Sequence, residues 1–194
     1  MIPGYEVVER VLALATADET IVIVTDASEA SLRWAGNSMT TNGVSTSRKW
    51  TVASIVRDAA GARVATASST SIDPHEFESI VRKCEADARE AEPAEDAMPL
   101  VPATAPSVDW ELEPERTSID VFAHLTDDLS TGFDGTDRLY GFAHHQVETV
   151  WLGTSTGVRR RFAQPTGSVE INGKRADASA WVGAGTKYFD DVSV

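Results

Sequence analysis

The sequence predicts an α+β protein: a mixed or antiparallel sheet with flanking helices, followed by a helix and β-meander that open a second, incomplete unit. Three observations carry this. Short apolar runs such as Ile21-Val22-Ile23-Val24 are separated by turn-forming Asp, Ser and Gly, as in strands joined by tight connections. Other segments repeat apolar residues at helical spacing, and one of them carries a full helix start signal. Prolines 93, 99, 102, 106 and 114 then interrupt the chain, too densely for a helix or a central strand.

Taken in order, Val7, Val8, Val11, Leu12 and Ala15 fall on one face of a helix over residues 6–16. Ile21–Val24 reads as a buried strand and Ser31–Trp34 as its partner, with Asp26-Ala27-Ser28 as the turn. Trp50–Val56 and Arg63–Ala67 form a hairpin through Asp58-Ala59-Ala60-Gly61. The clearest helix begins at Asp73, which caps it; Pro74 suits the first helical position and Glu76 completes a capping-box-like pattern. Phe77, Ile80, Val81, Cys84, Ala88 and Ala91 follow on one stripe, so Cys84 is expected to be a small core side chain rather than a reactive thiol. After the proline tract, Ser118 caps a helix carrying Val121, Phe122, Leu125 and Leu129 and stopping at Gly132. A long strand Leu139–Leu152 and two shorter ones, Val158–Ala163 and Ser168–Asn172, make a meander. The expected division is an N-terminal domain over 1–92, a linker or draped extended segment over 93–115, and the start of a second domain over 116–194. That second domain would continue beyond this chain. Cut there, it would expose sheet surface around Val150, Trp151 and Trp181, which predicts self-association of the isolated chain.

Composition excludes several classes. A formal net charge of -13 repels a phosphate backbone and an anionic membrane surface alike. No run approaches the ~20 apolar residues of a membrane span, and no basic region precedes an apolar run at the N-terminus. The single cysteine, Cys84, rules out an internal disulfide framework and suits a reducing cytoplasm.

Candidate chemistry is sparse. Gly153-Thr154-Ser155-Thr156-Gly157 has the form of a nucleophile elbow, which needs a helix after it and an acid and a histidine further on. Here Val158–Phe162 reads as a strand and the last histidine, His145, lies upstream. His144 and Glu148 share a strand face but stand ~13 Å apart, too far for one metal ion. His75 and His124 sit on separate helices. Arg159-Arg160-Arg161 is the one positive cluster; it pairs with carboxylates of the same chain, or it captures an acidic peptide or carboxylate. No phosphate-cradling or C-x-x-C motif is present.

Trp34-Ala35-Gly36-Asn37-Ser38-Met39-Thr40-Thr41-Asn42-Gly43-Val44 resembles the early glycine-bearing segment of PmbA/TldE-type proteins. Leu139-Tyr140-Gly141-Phe142-Ala143-His144-His145, continuing through Trp151-Leu152-Gly153 to Gly157, is similar to a later block of the same family. So are Gln164-Pro165-Thr166-Gly167 and Ser179-Ala180-Trp181-Val182-Gly183. These segments occur in order over most of the chain, and on them it resembles the N-terminal portion of the TldD/PmbA family, also called modulators of DNA gyrase. The resemblance implies a cytoplasmic zinc-metalloprotease system acting on unfolded or extended peptides. In it a TldD-type subunit carries H-E-x-x-x-H and pairs with a TldE/PmbA-type subunit that lacks the motif.

That zinc chemistry has no counterpart in these 194 residues, which contain no H-E-x-x-x-H. The chain is therefore expected to hold no zinc or other cofactor, to be inactive alone, and to act as the non-catalytic partner of a TldD-like protease. The alternative is a stand-alone peptide-binding module, with an extended peptide added at a strand edge. Asn37, Asn42, Arg159 and Arg161 are the residues proposed to contact peptide or partner.

Overall fold

Six strands form one antiparallel sheet in the order β3-β2-β1-β4-β5-β6. The computed structural model describes residues 2–190 and Val192. Helix α1 (Gly4–Leu14) precedes β1 (Glu19–Ala35), β2 (Met39–Asp58) and β3 (Gly61–Ser69); α2 (Pro74–Glu90) follows. A 3-10 turn (Ile119–Phe122) leads into α3 (Ala123–Phe133), and β4 (Arg138–Thr154), β5 (Arg159–Arg175) and β6 (Ala178–Thr186) complete the sheet. The α+β class read from the sequence is the class observed.

Two compact units share these strands. The first comprises Met1–Asp26, Ser47–Pro114 and Thr149–Phe162; the second comprises Ala27–Thr46, Glu115–Glu148 and Ala163–Val194. Each unit therefore draws on three stretches of chain. The reason lies in the strands: β1, β2, β4 and β5 are 17 to 20 residues long, so each contributes to both units.

In the first unit, Val7, Val8 and Val11 of α1 and Phe77, Val81 and Cys84 of α2 bury against Val22, Val24, Trp50, Val52 and Trp151. Helix α2 starts as its residues dictate, Asp73 accepting from the His75 amide with Pro74 behind it. Trp50 meets Phe77 edge to face at 5.2 Å, the favoured geometry for aromatic pairs. The Trp151 indole donates to the Trp110 carbonyl at 3.0 Å, and a Cβ on Gly4 would come within 2.4 Å of that ring. Of the two readings of the proline tract, the draped one holds within this unit. Ala94 donates to the Ala62 carbonyl (2.8 Å) and Ser107 to that of Arg159 (3.1 Å), and Trp110 is buried.

In the second unit Phe122, Leu125 and Leu129 pack on Ala30, Leu32, Trp34, Ala143, Val169 and Ile171, with Phe189 over them. Ser118 caps the helical segment through the Asp120 amide, as the sequence predicts.

Three local expectations differ. The turn at Asp26–Ser28 is absent, and β1 runs straight through it. Both polar residues are buried there with partners: Asp26 takes a two-pronged ion pair from Arg48, and Ser28 accepts from the Thr117 amide. Strand β5 likewise runs unbroken through Gln164–Gly167. Pro165 falls where β6 does not pair, since that register starts at Gly167↔Thr186, so its missing N–H costs no bond to β6. Finally, Trp151 is fully buried rather than exposed, while Trp181 is 61% exposed.

Candidate functional site

The most open part of the described sheet is β6. Its nine residues, Ala-Ser-Ala-Trp-Val-Gly-Ala-Gly-Thr, include no charge and no proline. It pairs with β5 in unbroken antiparallel register from Gly167↔Thr186 to Arg175↔Ala178, and it ends the strand order. Among the described residues no strand pairs with its other edge, which has the form of a template for another strand. Trp181 and Val182 on β6 and Tyr188 just after it are all more than half exposed. The Trp181 indole leans along the strand over Gly183, where a Cβ would meet it at 2.7 Å.

One face of this part of the sheet is occupied by the helix and the core above; the other carries Tyr140, Phe142 and His144 of β4, alternating with buried Ala143 and His145. Phe142 is 37% exposed, the Lys174 ammonium stands 5.1 Å over the Tyr140 ring, and His144 lies 3.9 Å from Glu29. A shallow depression beside the β5–β6 turn is lined by Asp137, Lys174, Arg175 and Ala178–Ala180, with Arg175 ion-paired to Asp137. This surface offers stacking and backbone pairing; it does not assemble a nucleophile with a base.

His145 is the one buried histidine. Its Nδ1 meets the Thr117 hydroxyl at 2.7 Å and its Nε2 the Lys187 carbonyl at 2.9 Å. Burial, opposed by that carbonyl and aided by neighbouring His144, lowers its pKa. It joins the residues before the 3-10 turn to those after β6, a structural tie.

The residues proposed from sequence are not brought together as one cluster. Asn37 sits in the left-handed region (φ 66°), which Asn tolerates better than most. Its amide nitrogen donates to the carbonyls of Phe133 and Asp137, and its oxygen accepts from the Leu139 amide. Asn42 is exposed on β2. In the first unit, Arg159 holds Glu9 and the carbonyls of Thr154 and Val158, and Arg160 holds the Ala105 carbonyl. Arg161, its side chain 4% exposed, pairs with Asp109 and the Glu113 carbonyl. The side chains of Arg160 and Arg161 and the backbone carbonyl of Arg159 thus anchor the draped segment.

Ser155 lies in a strand–turn–strand, and its hydroxyl accepts from the Thr20 amide, so the elbow reading has no helix to support it. Cys84 is buried, its thiol donating to the carbonyls of Val52 and Ala65. Among the described residues no group of three or more His, Cys, Asp or Glu is arranged to hold a metal ion. No helix among the described residues is long and apolar enough to cross a membrane.

The β6 edge was not singled out from the sequence. Its signal was present: nine residues without a charge, between Asp177 and Lys187, with one exposed tryptophan.

No protein-family model matches this chain, and no curated protein matches it by sequence. Solved structures do match, and they define the class of fold. TldE from Thermococcus kodakarensis superposes with a TM-score of 0.67 at 13% identity, over 94% of this chain and 42% of that one. A candidate modulator of DNA gyrase from Bacteroides thetaiotaomicron gives 0.66 at 13% identity, over 97% and 45%. A similarly described protein from Thermotoga maritima gives 0.57 at 13% identity, over 97% and 44%. The chain has the fold of part of these proteins and spans less than half the length of each.

Proposed function

We propose that this chain is the N-terminal region of a TldE/PmbA-like subunit, without catalytic residues of its own. It pairs with a TldD-like zinc metalloprotease that processes unfolded or extended peptides in the cytoplasm. The observation that supports this most is the likeness to TldE over 94% of the chain, which agrees with family-like sequence blocks found in the same order. The donor set points the same way, since a zinc-activated water needs three protein ligands at least. The test is a metal and peptidase assay on the chain alone and mixed with a TldD-like subunit from the same source. Cleavage of an unfolded peptide in the mixture, exceeding that of the TldD-like subunit alone, is expected. Stoichiometric zinc and proteolysis by this chain alone would overturn the reading.

The second reading, a stand-alone peptide-binding module, draws on the β6 edge. An extended peptide would add as a seventh strand, main-chain bonds supplying affinity and Trp181 a stacking contact. Titration with unstructured acidic and neutral peptides tests it: saturable binding that weakens on Trp181→Ala supports it, and no saturable binding sinks it.

A further inference from the structure

We infer that the first unit carries a seat for an uncharged, proline-rich extended segment of another polypeptide, and that residues 98–106 fill it from within as a built-in competitor. The inference uses the first unit alone and stands whether or not the chain partners a protease.

The occupant shows what the seat reads. Met98-Pro99-Leu100-Val101-Pro102-Ala103-Thr104-Ala105-Pro106 carries no charge and three residues without an N–H, and it has no regular secondary structure. It is held mainly by its main chain. Arg57 donates to the Met98 carbonyl (3.1 Å), Thr156 to that of Val101 (2.7 Å) and Arg160 to that of Ala105 (2.8 Å). The Leu100 amide donates to Glu19 at 2.8 Å, and Arg160 also reaches the Thr104 hydroxyl. The side chains of Met98 and Val101 stay well over half exposed. A row of donors facing carbonyls suits a polyproline II chain, which turns every three residues and leaves its carbonyls unbonded.

The seat is also organised without its occupant, since each donor is fixed by a second partner outside the arm. Arg57 is gripped by Glu19 at 2.8 and 2.6 Å, and Arg160 donates to the Arg159 carbonyl at 2.8 Å. The Thr156 proton goes to a carbonyl, so its oxygen accepts from the Thr154 hydroxyl at 2.8 Å. That hydroxyl in turn accepts from the Val158 amide at 3.1 Å. Gly157 lies at φ 97°, and a Cβ on it would stand 3.0 Å from the Ala103 Cβ. The Gly153–Gly157 loop, which has the form of a nucleophile elbow, is on this geometry the floor of a seat that admits only a small residue at position 103. Sites organised in advance lose less freedom on binding.

The arm can leave while its ends stay. On one side Pro93 bridges to Arg63 and Ala94 donates to the Ala62 carbonyl. On the other Ser107 donates to the Arg159 carbonyl and Trp110 is buried in the core. None of residues 98–106 is itself buried, so lifting them takes no side chain out of the core. A competing peptide then meets a tethered rival at high effective concentration.

The test opens the seat in two ways and titrates each chain with a labelled peptide of residues 97–107, read by fluorescence anisotropy with no protease present. One chain has residues 98–106 replaced by a Gly/Ser run of equal length. The other carries Ala103→Phe, which the approach to Gly157 cannot admit, so that the arm lifts and the seat stays whole. Both should bind the peptide saturably, and the parent about tenfold more weakly or worse because its own arm competes. Thr156→Val added to an opened chain should abolish binding, as should Phe in place of Ala103 in the peptide. A peptide that keeps the prolines and Ala103 but replaces Leu100, Val101 and Thr104 by other uncharged residues should bind within about threefold of the first. No saturable binding by either opened chain overturns the inference. So do equal affinities of parent and opened chains, binding that survives Thr156→Val, and recognition of the chain's own sequence alone.

Discussion

The two compact units treat the same kind of material differently. In the first, two helices and a proline-broken segment cover the sheet, and several of its charged side chains are bound into the fold. Arg48 holds Asp26, Arg57 holds Glu19, Arg159 holds Glu9 and Arg161 holds Asp109. In the second, one helical segment covers one face, and the eight residues of β2 that belong to it and almost all of β6 are exposed. The first unit is closed by its own sequence, whereas the second leaves backbone and aromatic surface available. Binding is therefore to be sought in the second, or in the first where the draped arm lifts, while substitutions in the core of the first should act on stability.

The largest effect that could break this contrast comes from the tryptophans. Trp151→Ala removes a fully buried ring packed on the α1 valines and orphans the Trp110 carbonyl; a loss of about 3–5 kcal/mol is expected. Trp181→Ala, at an exposed position, should change stability by less than about 0.5 kcal/mol while weakening peptide binding at β6. Urea midpoints of the two variants check this. Equal destabilisation would mean that β6 belongs to the core.

Glu85 sharpens the contrast next. It is 1% exposed, yet it receives the Thr16 and Ala17 amides, the Thr16 hydroxyl and Arg82. Burial disfavours its charge, and these donors outweigh burial and lower its pKa. Glu85→Ala leaves those amides without an acceptor and should cost about 2–3 kcal/mol. The effect on pH dependence has a definite sign. A lowered carboxyl pKa stabilises above the ordinary value near 4.3 and is lost as pH falls through the folded value. Acid unfolding of Glu85→Ala should therefore be shallower below about pH 4, as urea midpoints between neutral and acid pH would show.

The two asparagines give a smaller difference. Asn37→Ala forces an alanine into the left-handed region and removes three hydrogen bonds to residues 133–139, for an expected loss of about 1–2 kcal/mol. Asn42→Ala on exposed β2 should fall within about 0.5 kcal/mol of the parent. Both residues came from the same family-like block, and only the structure separates the tie from the surface position.

That separation shows what the sequence could and could not tell. The Asp73 cap, the Asp58–Gly61 hairpin turn and the stripe holding Cys84 were legible because their causes are local: a cap, a turn, a period. Asp26 and Ser28 misled because turn chemistry assumes that polar residues seek water, and here Arg48 and the Thr117 amide satisfy them inside a strand. The arginine triplet was readable only as a pair of alternatives, since its partners lie some fifty residues upstream in the draped segment, or further away at Glu9. The β6 edge escaped notice for a related reason. A run without charges looks like a weak strand until its neighbours show that one side of it has no mate.

The smallest effect concerns how the second unit is held shut near that edge. His145 joins Thr117 to the Lys187 carbonyl, and Phe189 beyond it packs on Phe122 at 4.7 Å. Burial lowers the pKa of the ring below its ordinary value near 6.5. A lowered histidine pKa means that the unfolded chain binds the proton more readily. Stability is thus fully present above pH 6.5 and declines as pH falls through the folded value. Glu19 and Glu85, also lowered, act in a separate window near and below pH 4.3. His145→Gln keeps a donor for Lys187 and an acceptor for the Thr117 hydroxyl but has nothing to titrate. Its urea midpoint should be flat between about pH 7.5 and 5, where that of the parent falls. The loss should appear first as faster hydrogen exchange in residues 187–189, before β1 or β4 in the same unit respond. Simultaneous loss throughout the chain would mean that the tie is part of a single cooperative structure, and that the contrast between the closed and open units does not extend to their dynamics.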